Sequence, residues 1–174
     1  MVTIITVVTA LIGAIALFFQ FKRDKDINQA TFIFEYGKYF NELPGVPEFL
    51  SKLEAYRKGD KKALTDDSYD GMVNYLQWCE SLSILIQKGV MDFETVDNLY
   101  SYNFFLIANN EYVQNKELVP EAEYYKGVYY LHKLWTNFKR KTKQQIMMEE
   151  TSLEKVSCYD EIIKKGDLFD KKHH

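Results

Sequence analysis

DDSYDGMVNYLQWCESLSILIQKG, residues 66–89, sets Met72, Val73, Leu76, Cys79, Leu82, Ser83 and Ile86 at the three- and four-residue intervals of an α-helix. Asp66, Asp67 or Ser68 is suited to cap its start, because a short polar side chain there can accept from the first free backbone N–H groups. Gly89 is suited to end it. An apolar face this wide needs neighbours on more than one side, which predicts a central helix of a bundle. No two alternating apolar runs are joined by a hairpin turn anywhere in the chain, so the expected fold class is all-α.

Toward the C-terminus, Asp92 is placed to cap a fourth helix carrying Phe93, Val96, Leu99 and the dense aromatic run Tyr100, Tyr102, Phe104 and Phe105. Pro120 is placed to open a long fifth helix through Tyr124, Tyr125, Val128, Tyr129, Leu131, Leu134, Trp135 and Phe138. Beyond Lys143 the pattern weakens to short helices near 146–156 and 159–163. Toward the N-terminus, Pro47 opens a short second helix with Phe49, Leu50, Leu53 and Tyr56, which Lys58-Gly59-Asp60-Lys61 ends. Before it, Ile27, Ala30, Ile33, Phe34, Gly37 and Phe40 share a helical stripe that Leu43-Pro44-Gly45-Val46-Pro47 breaks.

Residues 1–21, MVTIITVVTALIGAIALFFQF, contain no charged side chain, and the next five are Lys22-Arg23-Asp24-Lys25-Asp26. A helix of that length reaches about 30 Å, the thickness of a bilayer's hydrocarbon core. No Lys or Arg precedes the run and its exit lacks a small-residue cleavage pattern, which favours an uncleaved anchor over a signal peptide. Lys22, Arg23 and Lys25 then place the N-terminus outside and residues 22–174 in the cytosol, at the cytoplasmic membrane. The expected organisation is a transmembrane anchor, residues 1–21, continuing into a cytosolic helical domain, residues 22–174, of about five helices. The pairs Thr9/Gly13 and Ala10/Ala14 have the spacing that lets two membrane helices approach, which admits a homo-oligomer, although plain lipid contact is the stronger reading.

Twenty-two basic and 25 acidic residues are interspersed along the chain, net charge −3, so no global field recruits nucleic acid or acidic lipid. Cys79 and Cys158, both expected in the reducing cytosol, read as free thiols. His132 is the one internal histidine, and no spacing rule brings it to either of them. Asp66-Asp67-Ser68-Tyr69-Asp70-Gly71 resembles the opening of a calcium loop, but the twelfth position is Gln77 instead of Glu, so capping is the better reading. The ligand pairs of a di-iron bundle, the phosphate and dinucleotide loops, the zinc-protease motif and paired C-x-x-C are all missing. These readings predict no catalytic residue, no metal ligand and no cofactor.

The run Lys139-Arg140-Lys141-Thr142-Lys143, next to Tyr129, Tyr130, Trp135 and Phe138, mixes cations with aromatics as nucleic-acid and lipid surfaces do. Cations ending a long helix also complement its dipole, and Glu149-Glu150 follow, so nucleic acid is disfavoured as a partner. Tyr124, Tyr125, Tyr129 and Tyr130 would span two faces of one helix, one of them core and the other a partner surface. Glu80, Tyr125, Tyr129 and Trp135 are the candidate contacts.

The uncharged N-terminal run, its Lys/Arg exit, Asn28-Gln29-Ala30-Thr31-Phe32-Ile33-Phe34-Glu35, Met72 to Glu80 (MVNYLQWCE) and Gly89-Val90-Met91-Asp92 resemble a group of short, single-anchor bacterial and phage proteins with a helical domain of unknown function. In that group a pattern of the type N-x-L-x-x-x-E, then G-x-x-D, precedes a long tyrosine-rich helix, here Tyr124 to Lys141. The resemblance implies an anchored helical cytoplasmic domain and carries over no catalytic residue.

Two functional classes follow. The first is a non-enzymatic accessory protein, anchored in lipid through residues 1–21, whose bundle binds a protein partner, for instance in a phage-defence or prophage module. The second is a toxin-like effector acting through oligomerised anchors, although a uniformly apolar helix without intramembrane charge suits a passive anchor better than a pore. An enzyme would need a pocket assembled from scattered Asp, Glu and Tyr, which no spacing in the sequence reveals.

Overall fold

The structure, a computed structural model, describes residues 30–170 and their side chains as far as Lys165. The anchor, residues 1–21, and the flank Lys22, Arg23 and Lys25 lie outside the described residues. Within them every regular element is helical, and no helix is long and apolar enough to cross a membrane. The chain forms two units, residues 1–39 and 40–174. In the first, the described residues are helical and Phe32 stacks on Tyr36. The helix α1 covers 30–42.

In the second unit, Gly45 turns the chain with φ 73° and α2 runs Val46–Arg57 with proline in its first turn. A 3-10 turn, Asp66–Ser68, leads into α3, Tyr69–Gln87. Neither Thr65 nor Ser68 caps these starts through its side chain, and Asp66 and Asp67 lie inside the turn, which corrects the capping expectation. Asp92 does cap α4, Phe93–Ala108, accepting from the N–H groups of Glu94 and Thr95. Asn110 caps the three-residue α5, Glu111–Val113, which passes into a π turn, Gln114–Leu118, and then a 3-10 turn, Ala122–Tyr124. Only then does α6 begin, Lys126–Lys141. The expected long helix from Pro120 therefore starts six residues late. Two 3-10 turns, Glu149–Thr151 and Leu153–Lys155, precede α7, Tyr159–Asp170.

α3 is central, as its wide apolar face requires, and packs on α2 and α6, while α6 also packs on α4 and α7. The core divides into two aromatic groups. Phe40, Tyr75, Trp78 and Tyr100 form one, with Phe40 and Trp78 centroids 4.5 Å apart. Phe93, Phe104, Phe105 and Trp135 form the other. Such edge and tilted ring contacts add to the area burial that drives the assembly.

The start of α2 sits on the start of α3 because both carry glycine. A Cβ on Gly71 would lie 2.3 Å from the Gly45 carbonyl oxygen and 2.9 Å from the Phe49 Cβ. Asn74 Nδ2 secures the same turn by donating to the Pro44 carbonyl, 2.9 Å away.

The C-terminal segment is tied to the bundle by buried polar groups as well as by the packing of α7 on α6, which buries Tyr159 and Ile162. Asn109 Nδ2 donates to the Met147 carbonyl, 2.8 Å, so its Oδ1 is the acceptor for Leu153 N–H, 3.0 Å, and His132 Nε2, 2.9 Å. His132 is therefore the Nε2–H tautomer, and its Nδ1 accepts from the Tyr159 hydroxyl at 3.2 Å. Gln114 Nε2 bridges the Ala108 and Thr151 carbonyls at 2.8 Å each, and Thr151 Oγ1 donates to the Asn109 carbonyl at 2.6 Å. Burial holds the His132 imidazolium down to about 3.

Gly71→Ala is expected to destabilise the domain by about 1–3 kcal/mol through overpacking against backbone that cannot retreat, seen as a lower midpoint in thermal melts followed by tryptophan fluorescence. His132 makes stability fall with acid, because the unfolded chain takes up a proton near pH 6.5 that the folded chain refuses until about 3. Between pH 7 and 5, above the ordinary carboxylate range, this loss amounts to about 2 kcal/mol. Urea titrations should show that slope in the native chain and its disappearance in His132→Asn.

Candidate functional site

Residues distant in sequence meet in a cleft of about 950 Å³ lined by Asp66 and Tyr69 at the start of α3, Gln77 and Glu80 along it, and Lys116, Glu117, Glu121, Tyr124 and Tyr125 from the π turn and its sequel. Four carboxylates and three phenols face one ammonium. Glu117 is only 4% exposed and accepts from both the Tyr69 and the Tyr125 hydroxyls, the latter at 3.2 Å. Two phenol donors compensate the carboxylate for the water it has lost. Tyr69 is pushed above the ordinary phenol value chiefly by its bond to Glu117, and Tyr125 chiefly by burial, so both stay protonated donors. Lys116 Nζ pairs with Asp66 at 2.8 Å and stands 6.0 Å from the centre of the Tyr69 ring.

Glu80 forms part of the floor. Its two oxygens accept from the Gly127 and Val128 N–H groups, 3.0 and 2.8 Å, at the start of α6. Burial pushes its carboxyl up, and the bonds from Val128 and Gly127 pull it back. Gly127 makes the approach possible, because a Cβ there would lie 2.3 Å from Ser83 Oγ and 2.7 Å from Glu80 Oε2. Glu80 is thus a helix cap supplied from another helix, which corrects its reading as a contact on an open face.

Of the other expected contacts, Tyr129 and Trp135 are fully buried. Tyr129 donates to the Leu118 carbonyl at 2.7 Å and Trp135 stacks among Phe93, Phe104 and Phe105, so both belong to the core and not to a partner surface. Tyr125 is largely buried but lines the cleft. Tyr124, beside it, is exposed at 76%. α6 begins at Lys126 with Tyr125 at its cap, so Tyr124 and Tyr125 precede the helix; Tyr125 and Tyr129 are buried and Tyr124 is exposed. Tyr124 and Glu121 also line a second groove of about 400 Å³, with Val119 to Glu123, Cys158, Glu161 and Ile162. The segment is a ridge between two concavities.

The basic run is committed internally. Lys139, buried, pairs with Asp97 at 2.8 Å and bonds Gln144 Oε1 at 2.7 Å. Arg140 holds Glu154 bidentately at 3.1 and 2.7 Å. Arg140 is itself exposed, as are Lys141, Thr142 and Lys143, and only Lys139 of the run is buried. Cys79 is buried, which raises its thiol well above the ordinary value, and Cys158 lies 3.3 Å from the Tyr129 hydroxyl. His132 is engaged by Asn109 and Tyr159. Among the described residues no group of three or more His, Cys, Asp and Glu side chains is disposed to hold a metal ion.

The arrangement is an acidic recess walled by phenols, suited to receiving hydrogen-bond donors and positive charge. Compared with known proteins, the chain matches no protein family, no curated protein and no solved structure.

Glu80→Gln should lower stability by about 1–2 kcal/mol, since an amide presents one N–H₂ to backbone donors that need an acceptor. Urea denaturation measures it, and Gly127→Ala should produce a loss of the same kind because it evicts the carboxylate.

Proposed function

We propose that the helical domain is a protein-interaction module, held at the cytoplasmic face of a membrane by residues 1–21, and that the tyrosine-rimmed cleft is its docking site. The observation that carries this reading is Tyr124, exposed on the ridge beside a concavity of about 950 Å³ whose walls are fixed by Glu117, Tyr69 and Tyr125. A tyrosine presents a rigid, partly apolar surface at low conformational cost, and such residues dominate interface energetics. Walls already held by internal hydrogen bonds spare a partner the cost of ordering them. The anchor, on this reading, confines the module to the membrane where its partner acts.

The test is a crosslinked pulldown of the full-length chain from its native host in detergent, beside Tyr124→Ala. A partner captured by the native chain and reduced about tenfold or more in the variant supports docking at the cleft. Equal capture by both chains sinks it.

A further inference from the structure

Resting on that docking reading, we infer that the cleft's occupant is a positively charged polypeptide segment, inserting lysine or arginine side chains beside Glu121 and Tyr124. The cleft already seats one ammonium in this manner, since Lys116 lies between the Asp66 carboxylate and the face of Tyr69. Around the same ridge Glu80 and Glu117 are held by neutral donors, and three exposed carboxylates have taken a cation. Asp66 holds Lys116, Glu123 holds Lys126 and Lys165, and Glu161 holds Lys165.

Glu121 has neither. It is exposed, lines both the cleft and the neighbouring groove, and has no ion-pair partner among the described residues. Gln77, also exposed on the cleft wall, adds an amide beside it. The cleft therefore carries four carboxylates against a single lysine that is already paired. No cation of the run 139–143 lines the cleft, and Lys139 and Arg140 are engaged with Asp97 and Glu154. A concavity with fixed negative charge and an accessible phenol ring selects a cationic segment and repels an acidic one.

The test uses full-length protein in detergent micelles and a fluorescein-labelled octapeptide of alternating lysine and glycine, followed by anisotropy, with glutamate in place of lysine as the control peptide. Saturable binding of the lysine peptide is expected. It should weaken at least fivefold in Glu121→Gln, and several-fold between 50 and 200 mM salt, as contacts at a partly exposed site do. Glu121 is exposed, so a thermal melt of the variant should coincide with that of the native chain. Lysine and glutamate peptides binding alike, or a Glu121→Gln protein binding the lysine peptide unchanged, would overturn the inference. Its failure is separable from failure of the docking reading. If Tyr124→Ala loses the native partner while Glu121→Gln and added salt leave capture intact, docking stands and the cationic occupant is wrong. If Tyr124→Ala keeps the partner, docking itself is wrong.

Discussion

Glu80 reaches from the middle of α3 to the first N–H groups of α6, and that contact fixes where α6 starts against α3. A helix start leaves backbone donors without partners and carries the positive end of the helix dipole, so a carboxylate there satisfies both needs at once. The contact requires Gly127, whose missing Cβ is the space that Glu80 and Ser83 occupy. Once α6 is pinned at Lys126, residues 111–125 cannot be its first turns. They fold instead into short turns bonded to their surroundings, Tyr125 to Glu117 and Tyr129 to the Leu118 carbonyl. The cleft is the space those turns enclose with α3.

That dependence explains what could be read from the sequence and what could not. α2, α3 and α4 announce themselves because their apolar residues recur at helical spacing and their boundaries are marked by Pro47, Gly89 and Asp92. Those signals act over a few residues. The start of α6 is set by a residue 47 positions earlier in the chain, so no local signal reports it. Pro120, an adequate local start, misleads for the same reason. Tyr129 and Trp135 carry the residue types of a contact surface, yet a core tyrosine needs only one acceptor for its hydroxyl, and the Leu118 carbonyl provides it. The cleft itself is assembled from Asp66, Glu80, Glu117 and Glu121, separated by up to 55 positions and related by no motif.

Charge follows the same logic. A count of 22 basic and 25 acidic residues suggests a surface without direction. The fold breaks that balance by using cations as internal fasteners. Lys139 is buried against Asp97 and Arg140 is spread on Glu154, joining α6 to α4 and to the C-terminal segment. Burying Lys139 and Asp97 together is tolerable because each relieves the other's desolvation, whereas either one alone would be strongly unfavourable.

The acids of the cleft are treated differently. Glu80 and Glu117 are hydrogen-bonded by neutral donors, backbone N–H in one case and phenols in the other, and neither makes a direct ion pair among the described residues, although Lys126 acts on Glu80 through space. An ion pair between neighbouring side chains closes a field on itself, while a carboxylate held by neutral dipoles leaves its field directed into the space beside it. The cleft therefore combines carboxylates fixed by the fold with Glu121, which the fold leaves accessible, on a wall whose most exposed ring is Tyr124. The same contact that sets the first residue of α6 thus contributes to the acidity of the recess beside it.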